Sequence, residues 1–158
     1  MARWLLVMVI ALAVGFPVVA QTSDPHFGTW KVNIAKSKRD PSAAPLVPNA
    51  TRKYEPFEGD GVRLTVNSFD TTGKPTTGGY AAHFDGKPYK DLGNNPWDSV
   101  VIKRVDADTY EATQLAKGKV YGVNTVVVSK DGKTMTVTAK RNDGTGKTVT
   151  NITVFDKQ

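Results

Sequence analysis

The chain contains no cysteine. Disulfides, thiolate nucleophiles, thiolate metal ligands and acylation at an N-terminal cysteine are all excluded. Histidine is almost as scarce, with only His26 and His83. A metal site draws about three or four nitrogen, sulfur or carboxylate ligands at close spacing, so no metal is expected. After residue 20 there is no long apolar run, and no amphipathic helical pattern of ten residues or more. The Gly-x-Ser-x-Gly elbow and a phosphate loop are missing too. Gly144-Thr145-Gly146-Lys147 lacks the length and the following helix and reads as a hairpin turn. These gaps argue against an enzyme, so neither a catalytic residue nor a cofactor is expected.

The one apolar run is at the start. Met1-Ala2-Arg3 is a positive head, Trp4 to Phe16 is nearly unbroken apolar sequence, and Pro17 ends it. Val18-Val19-Ala20 places small residues at −3 and −1 of a cleavage point before Gln21. The reading is a signal peptide over residues 1–20, cleaved after Ala20. The competing reading is an uncleaved anchor, for which Trp4 to Ala20 is at the short limit of about 17–25 residues. Cleavage leaves 138 residues, one domain over 21–158, soluble and with no stable membrane anchor. The net charge of +6 falls to +5 with the loss of Arg3, a mild surplus spread along turns. No nucleic-acid motif accompanies it, and no nucleic-acid partner is expected.

Turn signals dominate the rest. Glu58-Gly59-Asp60-Gly61, Thr72-Gly73-Lys74-Pro75, Asp85-Gly86-Lys87, Lys117-Gly118-Lys119, Asp131-Gly132-Lys133 and Asn142-Asp143-Gly144 recur at hairpin spacing. Asn94-Asn95-Pro96 and Asp106-Ala107-Asp108 fill the interval between Gly86 and Gly118. The spacers are short and rich in Val, Thr and Tyr, which predicts antiparallel strands joined by tight turns. Strands are expected at 27–34, 50–55, 62–67, 78–84, 99–105, 109–115, 119–129, 133–141 and 147–157, with an edge piece at 88–90. Gln21 to Pro25 is expected to be a mobile leader. Pro41, Pro45 and Pro48 make Lys36 to Pro48 a long excursion, neither central strand nor continuous helix. The fold expected is all-β, with 9–10 antiparallel strands in an up-and-down barrel that removes exposed edges. A two-layer sandwich is the alternative, though it usually needs longer cross-connections.

Phe27-Gly28-Thr29-Trp30-Lys31-Val32 resembles the opening Gly-x-Trp strand of the calycin superfamily, which includes the lipocalins and the intracellular fatty-acid-binding proteins. Asn151 to Lys157 resembles the last strand of the fatty-acid-binding proteins. The series Gly-Thr-Trp-Lys, Lys-Ser-Lys, Phe-Asp-Gly-Lys and Ser-Lys-Asp-Gly-Lys-Thr-Met-Thr-Val-Thr resembles small exported bacterial lipocalin-like proteins of unassigned function. This resemblance implies a calycin-like barrel, a periplasmic or secreted bacterial protein, and a structural role for Gly28 and Trp30 at one barrel end. A Lys or Arg is then expected across the Trp30 ring, with Arg104, Lys140 and Lys157 as candidates; ligand contact is the other reading of Trp30. Being bacterial, the resembling proteins also give Asn49-Ala50-Thr51 and Asn151-Ile152-Thr153 no glycosylation role. Two departures stand out. Fatty-acid-binding proteins hold a carboxylate with an Arg-x-Tyr pair in the last strand, where this chain has Thr153 and Phe155. They also cap the barrel with two helices after the first strand, where this chain is proline-rich.

The candidate ligand contacts are Tyr54, Tyr80, Tyr110 and Tyr121 on strands, Trp97 in a loop, and Phe155 at the substituted anchor position. Inward tyrosines combine apolar faces with hydroxyl handles, although strand propensity explains them equally well. Trp97 either contacts ligand or covers a barrel end. The segment Phe84 to Trp97 and the excursion Lys36 to Pro48 are candidate rims. His83 is expected to face solvent. The expected function is non-covalent binding of a small apolar or amphipathic molecule in the barrel. The alternative is an envelope protein-interaction or inhibitor module working through its outer surface. An open interior favours the first and a packed one the second.

Overall fold

The computed structural model describes residues 24–158. The expected signal peptide and its cleavage point lie outside them.

Ten strands form one sheet: β1 (Gly28–Lys38), β2 (Thr51–Phe57), β3 (Gly61–Phe69), β4 (Pro75–Ala82), β5 (Pro88–Lys90), β6 (Ser99–Asp106), β7 (Thr109–Ala116), β8 (Lys119–Val128), β9 (Thr134–Asn142) and β10 (Thr148–Lys157). Every pairing is antiparallel. The order β4-β3-β2-β1-β10-β9-β8-β7-β6-β5 is an up-and-down meander in which the last strand returns to the first. It curls into a nearly closed barrel rather than a two-layer stack. The remaining seam lies between β4 and β5, which share no ladder. There the Leu92 N–H donates to the Gly79 carbonyl at 2.8 Å.

Tight turns make the hairpins. Asp side chains at 70, 85, 131 and 143 accept bonds from backbone N–H groups two residues on, the Asx chemistry that Gly-rich breaks announce. Alternation then decides the inside. Val126 and Val128 on β8 and Met135, Val137 and Ala139 on β9 point to the core, while their neighbours in sequence face outward.

The limits of the first four strands differ from expectation, β3 running from Gly61 to Phe69. β1 runs on to Lys38, so the excursion begins at Arg39; it carries a turn at Asp40–Ala43 and no helix. β4 stops at Ala82, so Phe84 is not aligned on it with Tyr80, and instead packs against the core just beyond the strand. Pro56 lies inside β2 without disrupting it. Pairing to β1 ends at Tyr54, so Pro56 has only β3 beside it and its missing donor is not needed there.

The two barrel ends differ. At one end Trp30, Met135 and Ile102 are completely buried. The Trp30 Nε1–H donates to the His26 carbonyl at 2.8 Å. Of the three basic candidates, Lys157 lies across the Trp30 ring, with its Nζ 4.9 Å from the centroid. Gly28 makes room for it: at φ 126°, a Cβ there would stand 3.0 Å from Lys157 Cε. Arg104 instead covers Phe84 at 3.9 Å.

Asp24, expected within a mobile leader, is tied into the fold. His26 is 1% exposed, and its Nδ1 is 2.7 Å from Asp24 Oδ1. Arg104 on β6 clamps the other Asp24 oxygen. This tie spans eighty residues of sequence, so local composition gives no sign of it. Burial of Asp24 opposes its charge, but donors from the His26 ring, the His26 backbone and Arg104 outweigh it and hold the carboxyl down to about 2. His83 is half-buried against Phe57 and Tyr89 and lies 3.3 Å from Asp60, rather than facing open solvent.

Candidate functional site

Above the plugged end the barrel is hollow. A cavity of about 720 Å³ opens toward the other end, walled by apolar positions such as Leu64, Val66, Val100, Ala112, Val126 and Val137. These come from β3, β6, β7, β8 and β9, all by the same in–out alternation.

Three phenols form a relay in and below the cavity. The Tyr110 hydroxyl donates to Tyr54 at 3.0 Å and shares a 3.1 Å bond with Tyr80. The relay ends on a cation: Arg52 Nη1 donates to the Tyr54 oxygen at 3.3 Å. Its guanidinium also lies 5.2 Å from the Phe155 ring centroid. Burial raises the pKa of both Tyr80 and Tyr110, so both stay neutral donors and acceptors. At Arg52, burial works against the charge, and the bond to the Tyr54 oxygen supports it.

The mouth is built around Asp91. Its Oδ1 accepts from Trp97 Nε1 at 3.0 Å, and its Oδ2 accepts from Gly93 N and Asn95 Nδ2, both at 2.8 Å. One buried carboxylate thus shapes the whole loop and aims Trp97. The Trp97 ring lies 5.3 Å from Tyr121, and Arg141 near the end of β9 sits 5.5 Å from Trp97 and 5.9 Å from Tyr121. Arg141 Nη2 donates to Gln114 Oε1 at 3.1 Å. From the excursion, Arg39 reaches the mouth and donates to the Ala44 carbonyl at 2.6 Å. On the wall, Asn124 Oδ1 is buried without a partner in the protein.

Of the sequence candidates, Tyr80, Tyr110 and Trp97 line the cavity. Tyr54 stands behind Tyr110 as the next link of the relay, Tyr121 backs Trp97, and Phe155 is buried under Arg52. Both candidate rims contribute, the first through Asp91, Gly93, Asn94, Asn95 and Trp97, the second through Arg39 alone. Neither histidine lines the cavity. Among the described residues no group of three or more His, Cys, Asp or Glu is placed to hold a metal ion.

Sequence reasoning passed over Arg52, Arg141, Gln114 and Asn124. A signal existed for the arginines: Arg52 shares strand parity with Tyr54, and Arg141 shares it with Val137 and Ala139. Arg-x-Tyr, missing from β10, is present on β2 as Arg52-Lys53-Tyr54.

No family model matches the chain, and no curated protein matches it. Among solved structures it is similar to the fluorescent protein UnaG. A point mutant of UnaG aligns with a TM-score of 0.60 at 14% identity, over 85% of this chain and 96% of that one. Wild-type UnaG aligns at 0.58 and 14%, over 84% and 96%. The likeness extends over nearly the whole barrel and shows a shared fold, an antiparallel β-barrel.

Proposed function

We propose that the protein holds one small amphipathic molecule, non-covalently, inside its barrel. The cavity of about 720 Å³ carries this reading. It lies within the range of about 300–1,000 Å³ that small-molecule sites occupy. Its walls supply the driving force, about 25 cal/mol per Å² of apolar surface covered, before the costs of association. Polar groups also face into it, among them the Tyr80 and Tyr110 hydroxyls, the unpartnered Asn124 oxygen and the Arg52 guanidinium. This is the composition that orients an otherwise apolar guest. An interaction module acting through the outer surface has no need of such a hollow, so the interior favours the carrier.

The reading assigns no catalytic step to the site. The phenols are neutral, and the buried Asp91 carboxylate is committed to three donors that shape the mouth. We also propose that the protein is exported, on the strength of the apolar run ending at Val18-Val19-Ala20.

Native mass spectrometry of the protein purified from its own cells tests both points. The expected species begins at Gln21 and carries one retained small molecule. A chain that keeps Met1 contradicts cleavage after Ala20. A chain that arrives empty, and binds no hydrophobic probe after delipidation, contradicts the carrier.

A further inference from the structure

Three guanidinium groups line the cavity and its mouth, Arg52 and Arg141 half-buried and Arg39 exposed. Arg52 stands beside the phenol relay, Arg141 beside Trp97 at the mouth, and Arg39 on the excursion beside them. Each donates to a neutral oxygen: the Tyr54 hydroxyl, the Gln114 amide and the Ala44 carbonyl. Among the described residues none of the three is in an ion pair. The three are close enough to work against one another: after burial, Arg39 and Arg52 both push the pKa of Arg141 down. Two carboxylates also line the cavity. Asp70 shares its exposed turn with Lys74, and the two offset each other. Asp91 is the other. Three guanidinium charges against the single charge of Asp91 leave a surplus of two.

We infer that the guest is a multiply charged anionic amphiphile, with at least two negative charges, held by Arg52 inside and by Arg141 and Arg39 at the mouth. The inference rests on the carrier reading and narrows its ligand class. Guanidinium forks bind carboxylate and phosphate oxygens with charge-assisted bonds, and they gain most where water is partly excluded. An aliphatic body then lies along the valine and alanine wall. The two charges can come from one doubly ionised head, as in an alkyl phosphate, or from separate carboxylates, as in an α,ω-dicarboxylate.

The test is calorimetric titration of the delipidated protein at pH 8 with dodecyl phosphate, dodecanedioate, dodecanoate and dodecanol. At least one of the two dianions is expected to bind about tenfold or more tighter than dodecanoate, the gain of one further charge-assisted contact. Tighter phosphate points to a single doubly charged head, and tighter dicarboxylate to separated groups. R141Q and R39Q, both at the mouth and outside the core, are each expected to reduce that preference severalfold, read as the ratio of dianion to dodecanol affinity within the same variant. If dodecanoate or dodecanol binds as tightly as both dianions, or the preference survives in R141Q, R39Q and R52Q alike, the charge inference is overturned and the carrier stands. Failure of all four probes overturns the carrier, and the inference with it.

Discussion

Arg52 and Tyr54 stand two residues apart on the inward face of β2, with the guanidinium donating to the phenol oxygen at 3.3 Å. The pair heads a chain of bonds that continues through Tyr110 to Tyr80 across the barrel. The relay is therefore continuous across the interior, and its links can be removed singly.

Tyr110 is the middle link. In Y110F the Tyr54 and Tyr80 hydroxyls lose their common partner, while the ring that packs on His26 and Phe84 remains. Tyr54 keeps its bond from Arg52, and leaving the buried Tyr80 hydroxyl unpaired costs about 1–2 kcal/mol. The urea midpoint should fall accordingly with the m-value unchanged, and ligand affinity should weaken with it.

Asp91 governs the mouth. D91A removes the acceptor of Trp97, Asn95 and Gly93 together. The Trp97 emission should shift to the red as its ring loosens, and ligand should dissociate severalfold faster. The plugged end is remote from the change, so far-UV circular dichroism should stay as in the wild type.

Gly79 is the residue β4 needs beside the seam. Its φ is 143°, and a Cβ there would collide with the Leu64 carbonyl. G79A should destabilise the barrel by about 2 kcal/mol or more. G118A, at a turn where a Cβ meets nothing, is expected to cost about 1 kcal/mol from its φ of 76° alone. Thermal melts of the two variants compare clash with conformation.

Acid should weaken the tie of Asp24 to the barrel. The Asp24 carboxyl is held down to about 2 in the fold against 3.8 ordinarily. Its contribution is fully present above pH 4 and is lost as pH falls toward 2. Allowing for its partial exposure, that contribution is about 1–2 kcal/mol. D24N should lower stability by this amount at pH 7 and should flatten the acid limb of the stability curve.

The barrel was legible because its signals are local. Each hairpin is announced by Asp, Asn and Gly at the break, and each strand by alternation, so β5 to β10 fall within a residue or two of their expected limits. The site was legible only in part. Tyr80 and Tyr110 were found as aromatic residues on strands, but Arg52 and Arg141 were passed over, since a guanidinium inside a barrel is costly until the whole cavity is seen. Arg39 reaches the mouth from a proline-rich loop with no periodicity to read. Asp24 and His26 look like a leader because their partner, Arg104, is five strands away.

The hollow itself is the centre of the account, and filling it is the direct test. Ala139 lies on the cavity wall in the middle of β9. Titration of delipidated wild type and A139F with dodecyl phosphate, alongside their melting curves, separates cavity from surface. The account predicts one saturable site in the wild type and none in a folded A139F. Equal binding by the two would contradict it.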